Sequence, residues 1–168
     1  FGLKEIKFLG HIVGNGGVKP DPSKVQAVRE WPVPKTTQEV RQFLGLANYF
    51  RRFIKDYAGI VDPLIQLTNK ASDVARQWSE RHDHAFASIK EALSSAPLLV
   101  HPDFSKPFEL VSDASLIGTG AVLLQEGHPI AYTSKRFSKA EKNYTTTEQE
   151  MLGIVRALQE WRCYFTGD

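Results

Sequence analysis

Residues 107–124 restrict the fold of this chain more than any other stretch. An apolar run, Pro107-Phe108-Glu109-Leu110-Val111, ends at Ser112-Asp113, and the small residues Ala114 and Ser115 follow. A Gly-rich apolar segment comes next, Ile117-Gly118-Thr119-Gly120-Ala121-Val122-Leu123-Leu124. Short residues between two β-prone runs make a tight turn, so the segment reads as strand, turn, strand with a carboxylate beside the turn. Further on, Tyr144-Thr145-Thr146-Thr147-Glu148-Gln149-Glu150 opens a helical pattern, which lets a second carboxylate face the first. Carboxylates on a rigid strand and helix suit Mg²⁺, a cation that takes oxygen ligands and keeps several waters. An Asp at a turn also bonds its own backbone, and the residues alone leave both roles open for Asp113.

The two glutamates of that helix cannot share a face, because two residues along a helix turn the side chain by about 200°. Ile154, Ala157, Leu158, Trp161 and Phe165 define an apolar face that Glu150 joins. A carboxylate buried on such a face needs a partner, and a metal would serve. Glu148 has a local role instead: three residues after Thr145, it completes a capping box. Glu150 is therefore the expected metal ligand.

Upstream, residues 1–18 read as two short strands around the turn Gly14-Asn15-Gly16-Gly17. Pro20-Asp21-Pro22-Ser23 opens a helix to about Trp31, and Pro32-Val33-Pro34 ends it. Thr36-Thr37-Gln38-Glu39 caps a longer helix expected to reach Lys55, and further helices are expected over about 60–69 and 79–95. In the helix of residues 36–55, Val40, Phe43, Ala47, Phe50 and Ile54 recur at helical steps and mark its buried side. Arg41, Gly45, Asn48, Tyr49, Arg52 and Lys55 fall opposite. Glycine permits close approach, an aromatic packs on sugars or bases, and cations meet phosphates, so this stripe suits a nucleic-acid groove. A solvated charged face is the alternative.

With 168 residues, 42% of them hydrophobic, the chain is long enough for one or two small globular domains. It holds no apolar run of about 18 residues, which excludes a transmembrane helix, and it shows no signal-peptide layout. A single cysteine, Cys163, excludes an internal disulfide and a Cys-rich zinc site. Residues 1–80 carry 12 Lys/Arg against 8 Asp/Glu, and residues 81–168 carry 9 against 11. The basic half suits phosphate and the acidic half suits metal. His82 and His84 diverge around a helix and read as surface residues, while His11 reads as structural. Lys135-Arg136 reads as a phosphate grip or a solvated pair.

These motifs together resemble the ribonuclease H region of gypsy-type LTR-retrotransposon reverse transcriptases. The matching residues are Phe108-Glu109-Leu110-Val111-Ser112-Asp113-Ala114-Ser115, Gly118-Thr119-Gly120-Ala121-Val122-Leu123, Ser134-Lys135-Arg136-Phe137, Asn143-Tyr144 and Glu148-Gln149-Glu150-Met151-Leu152. Phe8-Leu9-Gly10-His11 is similar to the end of the polymerase palm, and residues 43–54 are similar to the thumb. The resemblance implies a mixed α+β and α/β chain: palm end over 1–18, helical thumb over 19–78, connection over 79–106, and the first part of a ribonuclease H-like domain over 107–168. In that last part, three antiparallel strands precede a helix.

It also implies two-metal hydrolysis of RNA in RNA–DNA hybrids, with Asp113 and Glu150 as catalytic metal ligands for Mg²⁺, Mn²⁺ being the alternative. Further carboxylates, the rest of the nuclease domain and the integrase are expected downstream, and the palm with its aspartates upstream. Arg41, Gly45, Asn48, Tyr49, Arg52 and Lys55 are expected to hold the primer–template duplex or the hybrid. The expected location is cytoplasmic, within virus-like particles. A non-catalytic nucleic-acid-binding module derived from such an element is the alternative function.

Overall fold

The structure is a computed structural model that describes residues 4–69 and 72–166. Residues 1–3 and 167–168, the extreme ends of the first and last expected segments, lie outside the described residues. The chain opens with β1 (Glu5–Phe8), β2 (His11–Gly14) and β3 (Gly17–Pro20), an antiparallel sheet in that order. The expected hairpin is the β2–β3 pair, closed by Gly14↔Gly17, and β1 is an additional strand on its outer side. Gly17 has φ +139°, and a Cβ there would collide with the Leu99 carbonyl. That close approach lets Val18 exchange two backbone hydrogen bonds with Leu99, at 2.7 and 2.9 Å. The hairpin is thereby fastened to the segment leading into the second sheet.

Helices α1 (Pro22–Arg29), α2 (Thr37–Tyr49), α3 (Tyr57–Gln66), α4 (Val74–Gln77) and α5 (Glu80–Ser94) follow. Each start has a local cause. Asp21 accepts from the Ser23 N–H at 2.9 Å and precedes Pro22, whose ring fits the first helical turn. Thr36 caps α2 by accepting from the Glu39 N–H. The Ser79 N–H donates to His82 Nδ1 at 3.0 Å at the start of α5. His82 is therefore not the surface residue its spacing implied: it is 6% exposed, and burial lowers its pKa.

Phe43, Phe50, Phe53, Ile54, Leu64, Ile89 and Leu93 are fully buried in one core shared by these helices and Leu99. Helix α5, in the segment expected as a connection, packs into this core beside α1 and α3. Lys90 on α5 lies 4.3 Å over the Phe86 ring and donates to the carbonyls of Arg29 and Trp31, closing the end of α1.

Helix α2 stops six residues short of Lys55. A 3₁₀ turn follows at Arg51–Phe53, Ile54 is extended, and Asp56 takes a left-handed backbone with φ +51°. The break turns the chain so that Phe53 and Ile54 stay buried while α3 folds back.

The second sheet is β4 (Glu109–Ala114), β5 (Gly118–Gln125) and β6 (His128–Arg136), antiparallel in that order. The expected turn is present: Ser115 Oγ accepts from the N–H groups of Ile117 and Gly118. Helices α6 (Thr146–Glu160) and α7 (Arg162–Thr166) follow. Alternation along the strands gives the sheet two covered sides. On one side, Leu123 and Ala131 pack with Ala157 of α6 and with Trp161, which follows it. On the other, Tyr132 joins the helical core and Ser134 Oγ accepts from the Ala58 N–H at 2.8 Å.

Two stability measurements test these assignments. Truncation of the fully buried Phe50 to Ala is expected to destabilise the fold by about 3–5 kcal/mol, read from denaturant or thermal unfolding. The Thr145–Glu148 capping box is present, with the Thr145 N–H donating to Glu148 Oε2 at 2.7 Å. That donor, followed by the Thr145 hydroxyl, holds the Glu148 carboxyl below its ordinary value of 4.5. A depressed carboxyl stabilises the fold above the unfolded pKa, and the benefit is lost as pH falls through the folded one. The stability deficit of Glu148→Ala should thus be full well above pH 4.5 and should vanish progressively below it.

Candidate functional site

Helix α6 runs antiparallel to β4. Its Gly153 sits where a Cβ would be 3.4 Å from the Thr119 side chain and 3.6 Å from Ser112 Oγ. Near its far end, the ring of Tyr164 on α7 lies 5.9 Å from that of Phe108, just before β4 begins. The start of α6 consequently lies at the end of β4 that carries Asp113. Glu150 is one turn before Gly153, about 4.5 Å further toward that end. Both carboxylates are exposed.

The burial argument for Glu150 is corrected here. Gly153 and Ala157 are the buried residues of α6, followed by Trp161, whereas Ile154, Leu158 and Phe165 are 36%, 42% and 40% exposed. Glu150 shares the stripe of Gly153, Ala157 and Trp161, but it is exposed to solvent. What recommends it is its position at the Asp113 end, not desolvation.

Asp113 pairs with Gly120, and its strand neighbours Ser112 and Ala114 belong to the side that faces α6. Asp113 therefore belongs to the opposite side, where it lines a cavity of about 240 Å³ with Lys55, Asp56, Val111, Gly120 and Val122. Burial raises the Asp56 pKa most, the Gly59 N–H opposes this, and the negative charge of Asp113 adds to the rise. Asp56 is the group that the sequence did not disclose, since only the fold of α3 against the sheet brings it there. Strand β4 is bonded to β5 on one side and to no strand on the other among the described residues. Asp113 and Glu150 thus flank its free edge from opposite sides of the sheet.

The six expected nucleic-acid contacts are all exposed, but they do not form one helix face. Arg41, Gly45 and Asn48 share a side of α2, and nothing lies within 4 Å of a Cβ placed on Gly45. Arg41 donates to the Thr68 carbonyl at the end of α3. Tyr49 donates to the Leu9 carbonyl and its ring lies 5.2 Å from that of His11. Arg52 belongs to the 3₁₀ turn, 5.9 Å over the Phe53 ring, and makes no ion pair among the described residues. Lys55 has left the stripe for the Asp113 cavity, because α2 ends at Tyr49. Arg136 pairs with Asp62, while Lys135 is exposed. His11 is packed among Tyr49, Phe50 and Phe53 as a structural ring.

Among the described residues, no group of three or more His, Cys, Asp or Glu is gathered closely enough to hold a metal ion. Asp113 and Glu150 offer hard carboxylate oxygens at one end of the sheet, a donor type that fits Mg²⁺ or Mn²⁺. No helix of the described residues is long and apolar enough to cross a membrane.

Comparison with known proteins agrees with this architecture. The chain is 43% identical over 164 residues to the retrovirus-related Pol polyprotein from transposon 297 of Drosophila melanogaster, covering 98% of this chain and 15% of that protein. It is 39% identical over 177 residues to the corresponding polyprotein from transposon gypsy of the same species, covering 99% and 17%. The transposon Tf2-3 polyprotein of Schizosaccharomyces pombe is 38% identical over 169 residues, covering 98% and 12%. The chain thus spans less than a fifth of the length of these relatives. Among solved structures, the foamy viral protease-reverse transcriptase in complex with RNA/DNA hybrid superposes with a TM-score of 0.81 at 26% identity, covering 94% of this chain and 22% of that one. The same enzyme in complex with double-stranded DNA gives the same score and identity, covering 94% and 34%. The family model described as an RNase H-like domain found in reverse transcriptase matches residues 78–168, more than half of the sequence, and the chain belongs to that family.

Proposed function

We propose that this chain carries the duplex-holding helices and part of the nuclease centre of a reverse transcriptase with ribonuclease H activity, a multifunctional enzyme acting in cytoplasmic virus-like particles. The observation that carries the reading is the placement of Asp113 and Glu150 at one end of the sheet, both open to solvent, on either side of the free edge of β4. The structural relatives in complex with RNA/DNA hybrid and with double-stranded DNA support a nucleic-acid duplex as partner.

In this reading, Asp113 and Glu150 would hold Mg²⁺ or Mn²⁺, which supplies polarisation of a phosphate oxygen and of the attacking water. The strand fixes Asp113 and the helix fixes Glu150, so neither carboxylate has to be ordered when substrate arrives. Solvent exposure leaves room for a phosphodiester beside both carboxylates. Further oxygen ligands come from segments of the parent polyprotein beyond this chain, with the palm and the integrase among its other parts.

The open surface at Gly45 and Arg52, which has no ion pair among the described residues, give α2 and the turn after it a place for a duplex backbone. Phosphate contacts carry no sequence information, so binding should be nearly independent of sequence and should weaken as salt rises.

Two experiments test this. In filter or anisotropy binding to an RNA–DNA duplex at low salt, Arg52→Ala is expected to weaken affinity more than Arg41→Ala, whose guanidinium is engaged by Thr68. Equal effects, or affinity indifferent to salt, would count against the assigned face. In the complete parent enzyme, Asp113→Asn and Glu150→Gln should each reduce Mg²⁺-dependent RNA cleavage by at least a hundredfold. Glu148→Gln should retain most activity, since Glu148 is engaged in capping. A loss for Glu148→Gln as deep as for Glu150→Gln would overturn the assignment.

A further inference from the structure

We infer that the contact between α3 and β6 is a positioning device that sets where the nuclease end cuts relative to the duplex held by α2. The inference rests on the proposed nuclease function of Asp113 and Glu150.

The contact is a two-point match between a helix and a strand. Ala58, in the first turn of α3, gives its N–H to Ser134 Oγ at 2.8 Å. Asp62, four residues on, forms an ion pair with Arg136, two residues beyond Ser134. Four helical residues advance about 6 Å and two strand residues about 6.6 Å, so the two anchors are equally spaced on both elements. The helix therefore lies along β6 in one direction and in one register. A slip by one helical turn or one strand pair would break both contacts together.

The anchors are chemically strong for their place. The first-turn N–H groups of a helix lack partners within the helix, and Ser134 of β6 supplies one. The Asp62 side chain is 14% exposed and Arg136 35%, so the carboxylate side of the pair is largely buried and a carboxylate left alone there would be unfavourable. Gln66 Nε2 donates to Asp62 Oδ2 at 2.8 Å and fixes its orientation. Tyr132, the preceding residue on the same side of β6, packs against the helical core.

Rigidity then carries from the contact to both functional ends. On the helical side, Phe50, Phe53, Ile54 and Tyr57 are buried in the core that α2 and α3 share, so the exposed side of α2 is fixed relative to α3. On the sheet side, β6 is bonded to β5 and β5 to β4, where Gly120 pairs with both Ser134 and Asp113. One residue of β5 thus separates the anchor from the carboxylate. Ser134, Asp62 and Arg136 are positioning residues for the cut.

The test uses the complete parent enzyme on an end-labelled RNA–DNA hybrid with a recessed DNA 3′ end, in Mg²⁺, mapping cut sites at single-nucleotide resolution. The native enzyme is expected to cut in a narrow window. Asp62→Ala, Arg136→Ala and Ser134→Ala should shift that window by at least one nucleotide or double its width, with duplex affinity unchanged within about twofold. Ser134→Thr, which keeps the hydroxyl, and the charge-exchanged double variant Asp62→Arg with Arg136→Asp should restore it. An unchanged window in the single variants, or no restoration in both rescue variants, overturns the inference. A native enzyme that binds hybrid yet cuts nowhere refutes the nuclease assignment and removes the register proposal with it. Amide exchange on the 168-residue chain separates the two failures. Ser134→Ala should speed exchange at Ala58 at least tenfold, and no change there refutes the contact itself.

Discussion

The sheet β4–β6 has an apolar side facing in each direction, and three strands cannot cover themselves. One side takes Leu123, Ala131 and the small residues of α6, and the other takes Tyr132 and the helical core. The candidate site follows from this double cover. The helix on one side delivers Glu150 and the helical unit on the other delivers Lys55 and Asp56. Asp113 stands at the strand end between them. Hydrophobic burial has no direction of its own, so the polar contacts at Ser134 and Arg136 are what select one arrangement among the many that would bury similar area.

Most elements were legible because they carry local signals: the Thr36 and Thr145 caps, the glycine turn of the β2–β3 hairpin, and the apolar period of α5. The end of α2 was not, for a physical reason. Phe50, Phe53 and Ile54 have spacings of three and four whether the helix continues or turns back, so periodicity cannot distinguish the two. The contacting side of α6 was misplaced for a different reason. Met151, Ile154, Val155 and Leu158 are more hydrophobic than Gly153 and Ala157, yet the small residues face the sheet because they admit a close approach. Size, rather than hydrophobicity, decided the side. Asp56 and the Asp62–Arg136 pair depend on residues far apart in the chain and had no local signal at all.

The cations show the same limit. In sequence, Arg41, Arg52 and Lys55 form one stripe, with Arg51 and Arg136 outside it. In the fold, Arg41 closes the end of α3, Arg51 lies 3.9 Å from Glu160, Arg136 holds Asp62, and Lys55 faces the carboxylates. A basic residue is available to phosphate only where the protein does not already use it. The expected stripe therefore overstates the surface open to a duplex, and the part of it around Gly45 and Arg52 is what remains.

The free edge of β4 has a consequence for how the chain behaves among its own copies. An unpaired strand edge is a template for another strand, and Val111 is 46% exposed on it. Glu109 and Asp113 flank Val111 on the same side of the strand, both exposed. Two copies meeting edge to edge in antiparallel register would bring these charges together without an intervening cation, which opposes pairing. The carboxylate proposed for chemistry thus also acts as a guard against aggregation. Neutralising it would cost solubility, and a strand that does add to this edge would have to bring positive charge or a metal with it.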